Sequence, residues 1–252
     1  MNPRKAQSWL KLIIIGAVCA LSSLQAQTLN TYEQLPEDCE QLILVLADTS
    51  SASAGSLFLM EKGRKGWDQE RTTAIRLGKN GLAEGIGVKG SGLGLPAKRE
   101  GDGKTPAGLF ELGAAFGYDK KISKKRDLTY VQVTPFALFV EDPKSPYYNQ
   151  YRRLHRLPVT DWEKKQLMKQ DDPAHALKLF VKHNTVPQRK AGYGSAIFLH
   201  IWREDGDRPT TGCTVMAEKE LKKLIKWIDP KKNPLMLVTT KSAWMEAVEY
   251  KD

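Results

Sequence analysis

Ser195-Ala-Ile-Phe-Leu-His200-Ile-Trp202, continuing through Arg203-Glu-Asp-Gly-Asp-Arg-Pro-Thr-Thr-Gly212-Cys213, is the stretch on which fold and chemistry both turn. An apolar, strand-like run closes on a histidine, and a loop with Gly206 and Pro209 can fold back behind it. Cys213 then follows a glycine, thirteen positions after the histidine. This layout suits a thiolate nucleophile and its base. A free thiol, with a pKa near ~8.5, is only slightly ionised at neutral pH, so a cysteine nucleophile needs a neighbour that takes its proton. His200 is placed to do that, and the pairing predicts a Cys213 thiolate titrating well below the free-thiol value. Gly212 lets backbone amides approach a substrate carbonyl, which makes it an oxyanion-site candidate. The alternative makes Cys213 a small buried apolar residue and His200 a satisfied core histidine.

Working outward, other apolar, β-branched stretches have strand length and turn-rich borders: Gln41 to Ala47, Ser56 to Glu61, Thr72 to Leu77, Leu128 to Val133, Leu138 to Val140, Ala176 to Lys182 and Pro234 to Thr239. Residues 78–108 are glycine-rich and read as loops or hairpin ends. Helices are fewer. Ala217 to Ile228 carries Leu221, Leu224, Ile225 and Ile228 at helical spacing and is ended by Asp229-Pro230. Asp161 to Lys169 and Trp244 to Val248 predict two short ones. The first of these helices is expected to begin three or four residues after Cys213 and to give the thiolate partial support from its N-terminus. Strands dominate, so the expected fold is mainly β, a β-sandwich or open barrel with a few peripheral helices. One domain is read over residues 38–252, after a polar lead-in at 27–37.

The first 26 residues read as an export signal. Arg4, Lys5 and Lys11 give a basic start, Leu12 to Leu21 is uncharged and apolar, and Ala26-Gln27 is a cut point. The apolar run is shorter than the ~20 residues that span a bilayer, so no stable membrane insertion is expected after cleavage, and a retained anchor is the competing reading. Val18 before Cys19 is a poor fit for lipid attachment. Cleavage would remove three of 39 basic residues and none of the 29 acidic ones, lowering the formal charge from +10 to +7. A basic exported protein concentrates near an anionic envelope polymer in the periplasm or cell envelope. Its basic residues are interspersed with acidic ones and carry no nucleic-acid motif, so nucleic acid is not an expected partner. Two cysteines, Cys39 and Cys213, would remain, too few for a disulfide scaffold, although one bridge between them would silence Cys213.

The chain resembles the L,D-transpeptidase family, the YkuD-type catalytic domain that works on bacterial peptidoglycan. Three segments carry the resemblance: Ser195 to Trp202, Pro209-Thr-Thr-Gly-Cys213-Thr-Val-Met216, and Lys98-Arg-Glu-Gly-Asp-Gly-Lys-Thr-Pro-Ala-Gly108. It covers roughly residues 41–240, with Tyr130 to Asn149 and Asp161 to Met168 looking like a subgroup-specific insertion. The resemblance implies Cys213 as nucleophile, His200 as base, and Gly212 with its neighbours as oxyanion site. The usual family pattern has Ser-x-Gly-Cys followed two residues later by arginine. Thr210 stands here in the serine place, Thr211 where histidine is common, and Val215 in place of the arginine. A substrate carboxylate would then fall to Arg203, Arg208 or Lys98.

The implied reaction is acyl transfer on peptidoglycan stem peptides through a Cys213 thioester, a role in cell-wall biogenesis and cell shape. Two alternatives stand beside it. One is an L,D-carboxypeptidase or amidase that resolves the thioester with water; the other is a non-catalytic envelope-binding protein. No cofactor is implied. Glu204, Asp205 and Asp207 read as solvated loop acids, so a backbone carbonyl is an equal candidate for orienting His200. Trp202 could wall a stem-peptide groove, although core packing is its commoner fate. His155, His175 and His183 are too unevenly spaced for a zinc site, and Gly85-Ile-Gly-Val-Lys-Gly90 reads as a loop and not a dinucleotide fingerprint. Oligomeric state is not legible.

Overall fold

The computed structural model describes residues 35–125 and 127–249. The expected export signal, with Cys19 and most of the lead-in, lies outside the described residues. The chain is mainly β. Strands β1 (Gln41–Ala47), β2 (Ala54–Gly63) and β3 (Gly66–Arg76) form an antiparallel meander. Strand β5 (Thr105–Gly117) is the longest, flanked by the short β4 (Leu82–Glu84) and β6 (Tyr130–Gln132). Later strands are β9 (Leu177–Val181), β10 (Phe198–Ile201), β11 (Thr214–Met216) and β12 (Leu235–Thr240). The circuit β12-β1-β2-β3-β11-β10-β9-β5 closes on itself because β5 also pairs with β12, so the barrel is closed and not open. Closure leaves these eight strands without an unpaired edge.

Period-two alternation sorts the side chains. Ile43, Val45 and Ala47 of β1, with Met236 and Val238 of β12, face the main core. Leu42, Leu44 and Leu46, with Leu235 and Leu237, form a second cluster under Trp244 of the terminal helix α3 (Lys241–Glu249). Covering both faces explains why β1 and β12 are apolar throughout. Helix α2 (Glu218–Trp227) buries Leu221, Leu224 and Ile225 in the main core, with Glu218 and Glu220 in its first turn.

Several expectations need adjustment. The stretch after Thr105 belongs to one thirteen-residue strand, where the sequence suggested loop up to residue 108. Its glycines and alanines hide the strand signal, and crowding demands them: a Cβ on Gly113 would come within 2.7 Å of the Phe180 ring. The second expected helix is shorter, α1 (Asp161–Lys165), started by a capping box between Thr160 and Glu163. The run Thr214–Met216 pairs with β10, and α2 starts at Glu218, five residues after Cys213 where three or four were expected, so helix-dipole support for the thiolate falls away.

Residues 118–176 stand outside the barrel circuit. Within them, β7 (Ala137–Val140) and β8 (Gln150–Arg153) form a hairpin. Ala137, Phe139 and Met168 from this segment pack on Phe116 and Phe198, making a third apolar cluster on the outer face of the barrel. The segment is a roof.

Candidate active site

Strand register builds the floor of the site. In β10, Leu199 turns into the main core, while Phe198 and His200 turn outward beneath the roof. Strand β11 runs parallel to β10, with Leu199 opposite Thr214 and His200 opposite Val215. Cys213, two positions before Val215, therefore lies on the same face as His200, one strand over. On the other side, antiparallel β9 places Lys178 opposite His200. Cys213, His200 and Lys178 all line one cavity of about 630 Å³, whose other walls come from the roof (Phe139, Glu141, Met168) and from the loop at Lys98, Glu100 and Gly101.

His200 is 3% exposed, and its Nδ1 donates to the carbonyl of Ile201 at 2.8 Å. A carbonyl only accepts, so Nδ1 carries the proton and Nε2 keeps its lone pair. A backbone carbonyl, one of the two orienting groups expected, thus sets the tautomer. Burial lowers the imidazole pKa to about 4, the carbonyl of Ile201 opposes that, and the positive charges of Arg203 and Lys178 add to it. His175 stacks on this ring, and Arg203 ties His175 to Asp172, with 3.2 Å from a guanidinium nitrogen to His175 Nε2 and 2.8 Å from Arg203 Nε to Asp172.

Cys213 keeps part of its residue surface exposed, yet the sulfur itself is deeply packed, and the packing governs its chemistry. Burial pushes the thiol pKa up to about 11; the Phe198 amide, Lys178 and Lys98 pull it down, and Glu141 pushes it further up. The expected low-pKa thiolate is overturned: between about pH 4 and 11 the resting pair is a neutral thiol and a neutral imidazole. No hydrogen bond joins the two side chains among the described residues; Cys213 Sγ donates to the Ala196 carbonyl at 3.6 Å.

The loop before Cys213 is held by Thr210. Its hydroxyl donates to the Cys213 carbonyl at 2.6 Å and accepts from the Gly212 amide at 3.0 Å. Thr210 is buried, and its backbone bonds to Leu77 and Lys79 at the end of β3. Gly212 has φ +153°, and a Cβ there would meet the Lys104 carbonyl at 3.0 Å, so glycine is required. The Gly212 amide is nevertheless taken by Thr210, which removes it as an oxyanion donor. Thr211 is exposed at the cavity wall.

Other expected contacts are redistributed. Trp202 does not line the cavity: β10 ends at Ile201, and the indole lies over Gly206. Arg203 lines it but is bound to Asp172, Arg208 pairs with Glu204 at 3.0 Å, and Lys98 is tied to Asp102 and to the Arg99 carbonyl. Cys39 lies in the second cluster, its thiol donating to the Gln41 carbonyl at 3.3 Å, while Cys213 adjoins the third; both are free thiols. His183 uses both nitrogens structurally, accepting from the Ile86 amide and donating to the Tyr193 carbonyl.

The sequence reading missed Lys178, Glu141 and the bearing of His175 on the site. The available signal for Lys178 was a lysine set between Leu177 and Leu179 in an apolar strand. Period two points it away from the core, and only the roof turns that outward position into a buried one, 4% exposed.

No curated protein matches the chain. A solved structure, Bdellovibrio bacteriovorus Bd1075, is similar at 17% identity over 84% of this chain, with a TM-score of 0.41. The chain spans about half of that protein, 54% of its length. Residues 46–238 match the profile of the L,D-transpeptidase catalytic domain (YkuD), most of the chain and all eight strands of the barrel circuit in whole or part, and the protein belongs to that family.

Proposed function

We propose that this protein transfers acyl groups on peptidoglycan stem peptides through a Cys213 thioester, with His200 as the base. The observation that carries this reading is the parallel register of β10 and β11, which sets Cys213 and His200 on one face under one cavity. Because both groups rest neutral, proton transfer accompanies attack. Attack requires the thiol to leave the Ala196 carbonyl and turn toward His200 Nε2. Sulfur bonds to the peptide carbonyl carbon while Nε2 takes the thiol proton, and the Ile201 carbonyl steadies the imidazolium through Nδ1–H. The amides of Thr211 and Cys213 are this loop's candidates for holding the oxyanion, since Thr210 engages that of Gly212. The imidazolium then protonates the leaving amine as the C–N bond breaks, leaving a thioester. An amine from a second stem peptide bonds to the thioester carbon as His200 takes its proton, the C–S bond breaks, and the imidazolium returns that proton to the departing sulfur, restoring thiol and neutral imidazole. The basic, apolar, uncharged pattern of residues 1–26 supports export to the periplasm or cell envelope, where this substrate lies.

The test is incubation with purified peptidoglycan fragments, reading products by mass. Cross-linked dimers that vanish in Cys213→Ala support transfer. Shortened monomers alone reassign the resolving step to water, and unchanged fragments with the wild-type protein reject the proposal.

A further inference from the structure

We infer that Lys178 is the cation that receives a substrate carboxylate beside Cys213, an inference that rests on the proposed acyl-transfer function. The three other cations near the cavity, Lys98, Arg203 and Arg208, each have a carboxylate partner. Lys178 has none within ion-pair distance among the described residues. Its Nζ lies 3.5 Å from the Met168 carbonyl and 5.1 Å from the centre of the Phe198 ring.

A buried ammonium with one long hydrogen bond is incompletely satisfied, and its unused donors give onto the cavity. Burial lowers its pKa to about 8, opposed by Cys213 and Glu141, so it is still charged at neutral pH.

Placement favours a carboxylate. His200 has Val215 on one side and Lys178 on the other, so the cation beside it comes from β9 and not from β11. Strands β9 and β11 are two spacings apart, about 10 Å, and a lysine side chain covers much of that distance. When Cys213 attacks the last peptide bond of a stem, the leaving residue carries its C-terminal carboxylate about 3–4 Å from the attacked carbon. That geometry places a carboxylate between sulfur and ammonium, where desolvation strengthens the pair.

The test measures binding to the Cys213→Ala protein, which cannot turn over, by calorimetry. The probes are a stem tetrapeptide with a free C-terminal carboxylate and the same peptide as its carboxamide. The acid is expected to bind at least about tenfold more tightly than the amide, and adding Lys178→Met should make the two bind alike. A pH series supplies a second measurement without altering Lys178. The preference should fade as pH rises through about 8. Across that step His175 and His200 are already neutral, and Glu141→Gln should move the step to lower pH, since that carboxylate helps hold the ammonium charged. Equal binding of acid and amide, or a preference that survives Lys178→Met, would overturn the assignment. An acid preference lost with Lys178, in a protein that modifies no peptidoglycan, would instead uphold this site and reject the proposed reaction.

Discussion

The rings of His175 and His200 stack, with centroids 4.9 Å apart and planes inclined by 24°. Two imidazoles in such contact tolerate one charge poorly. Burial takes His175 to about 3 and His200 to about 4, and the nearby Lys178 and Arg203 push both the same way. The stack adds to the burial that keeps His200 unprotonated, while the Ile201 carbonyl orients it.

His175→Ala should therefore open the flank of His200 to water and lower turnover about tenfold, while His175→Phe retains the stack and most activity. The distinguishing readout is the acid limb of kcat/KM. In wild type the activity is expected to fall as pH drops through about 4, since a protonated His200 could not serve as the proposed base. In His175→Ala that limb should move up toward the ordinary histidine value of about 6.5. An unmoved limb would show that the stack is mere packing.

Cys213 should react slowly with a small neutral electrophile such as iodoacetamide at neutral pH, and its rate should climb toward pH about 11. The thiol is disfavoured as an anion mainly by burial, so His200→Ala should change this alkylation little while removing peptide turnover. A wild-type alkylation midpoint below about 8.5 would contradict the neutral resting pair.

Thr210→Val should cost about 1–3 kcal/mol, since it leaves the Cys213 carbonyl and Gly212 amide without their shared hydroxyl. Thr210→Ser keeps both bonds and should recover most of the loss in denaturant midpoint and turnover alike. If valine were as stable as serine here, the clamp would have no energetic content.

Acid should weaken the fold before carboxylates are neutralised. His183 and His200 are buried with folded pKa values of about 4, below the unfolded value near 6.5. Between those values the unfolded chain binds more protons, so stability is full above pH about 6.5 and declines as pH falls toward 4. At about 1.4 kcal/mol per unit, the two together amount to several kcal/mol. Denaturant midpoints that are flat from pH 7 to about 4.5 would refute this.

Cys39→Ser should leave turnover intact and lower stability by about 1–2 kcal/mol, because a hydroxyl replaces a thiol that is wholly enclosed by Leu42, Leu44 and their neighbours. Loss of activity in a folded Cys39→Ser protein would relocate the important cysteine.

What the sequence discloses here is what lies close together along it. His200, Thr210, Gly212 and Cys213 fall within fourteen residues, and their local pattern is readable as strand, loop and nucleophile. Trp202 was readable only as apolar and aromatic; the end of β10 at Ile201, which turns it away from the cavity, depends on pairing with β9 and β11. Strand β5 escaped notice because its small residues answer to Phe180 across the sheet and not to β propensity. The thiol's pKa was misjudged for a related reason. Depression was expected from a histidine and a helix end, whereas burial under a roof made of distant residues dominates.

Among the described residues, the barrel's hydrogen-bonded circuit passes from Gly117 directly to Leu177 and uses none of those between them. His200 is mounted on that circuit and Cys213 sits just before β11, while Phe139, Glu141, Gln166 and Met168 reach the cavity from the excluded segment. In the proposed function, reaction and recognition would thus be carried by separable parts of one chain. Evolution can retailor residues 118–176 to admit a different polymer end without disturbing how the barrel closes, and a chimera that exchanges only this segment is the natural unit for redirecting the enzyme.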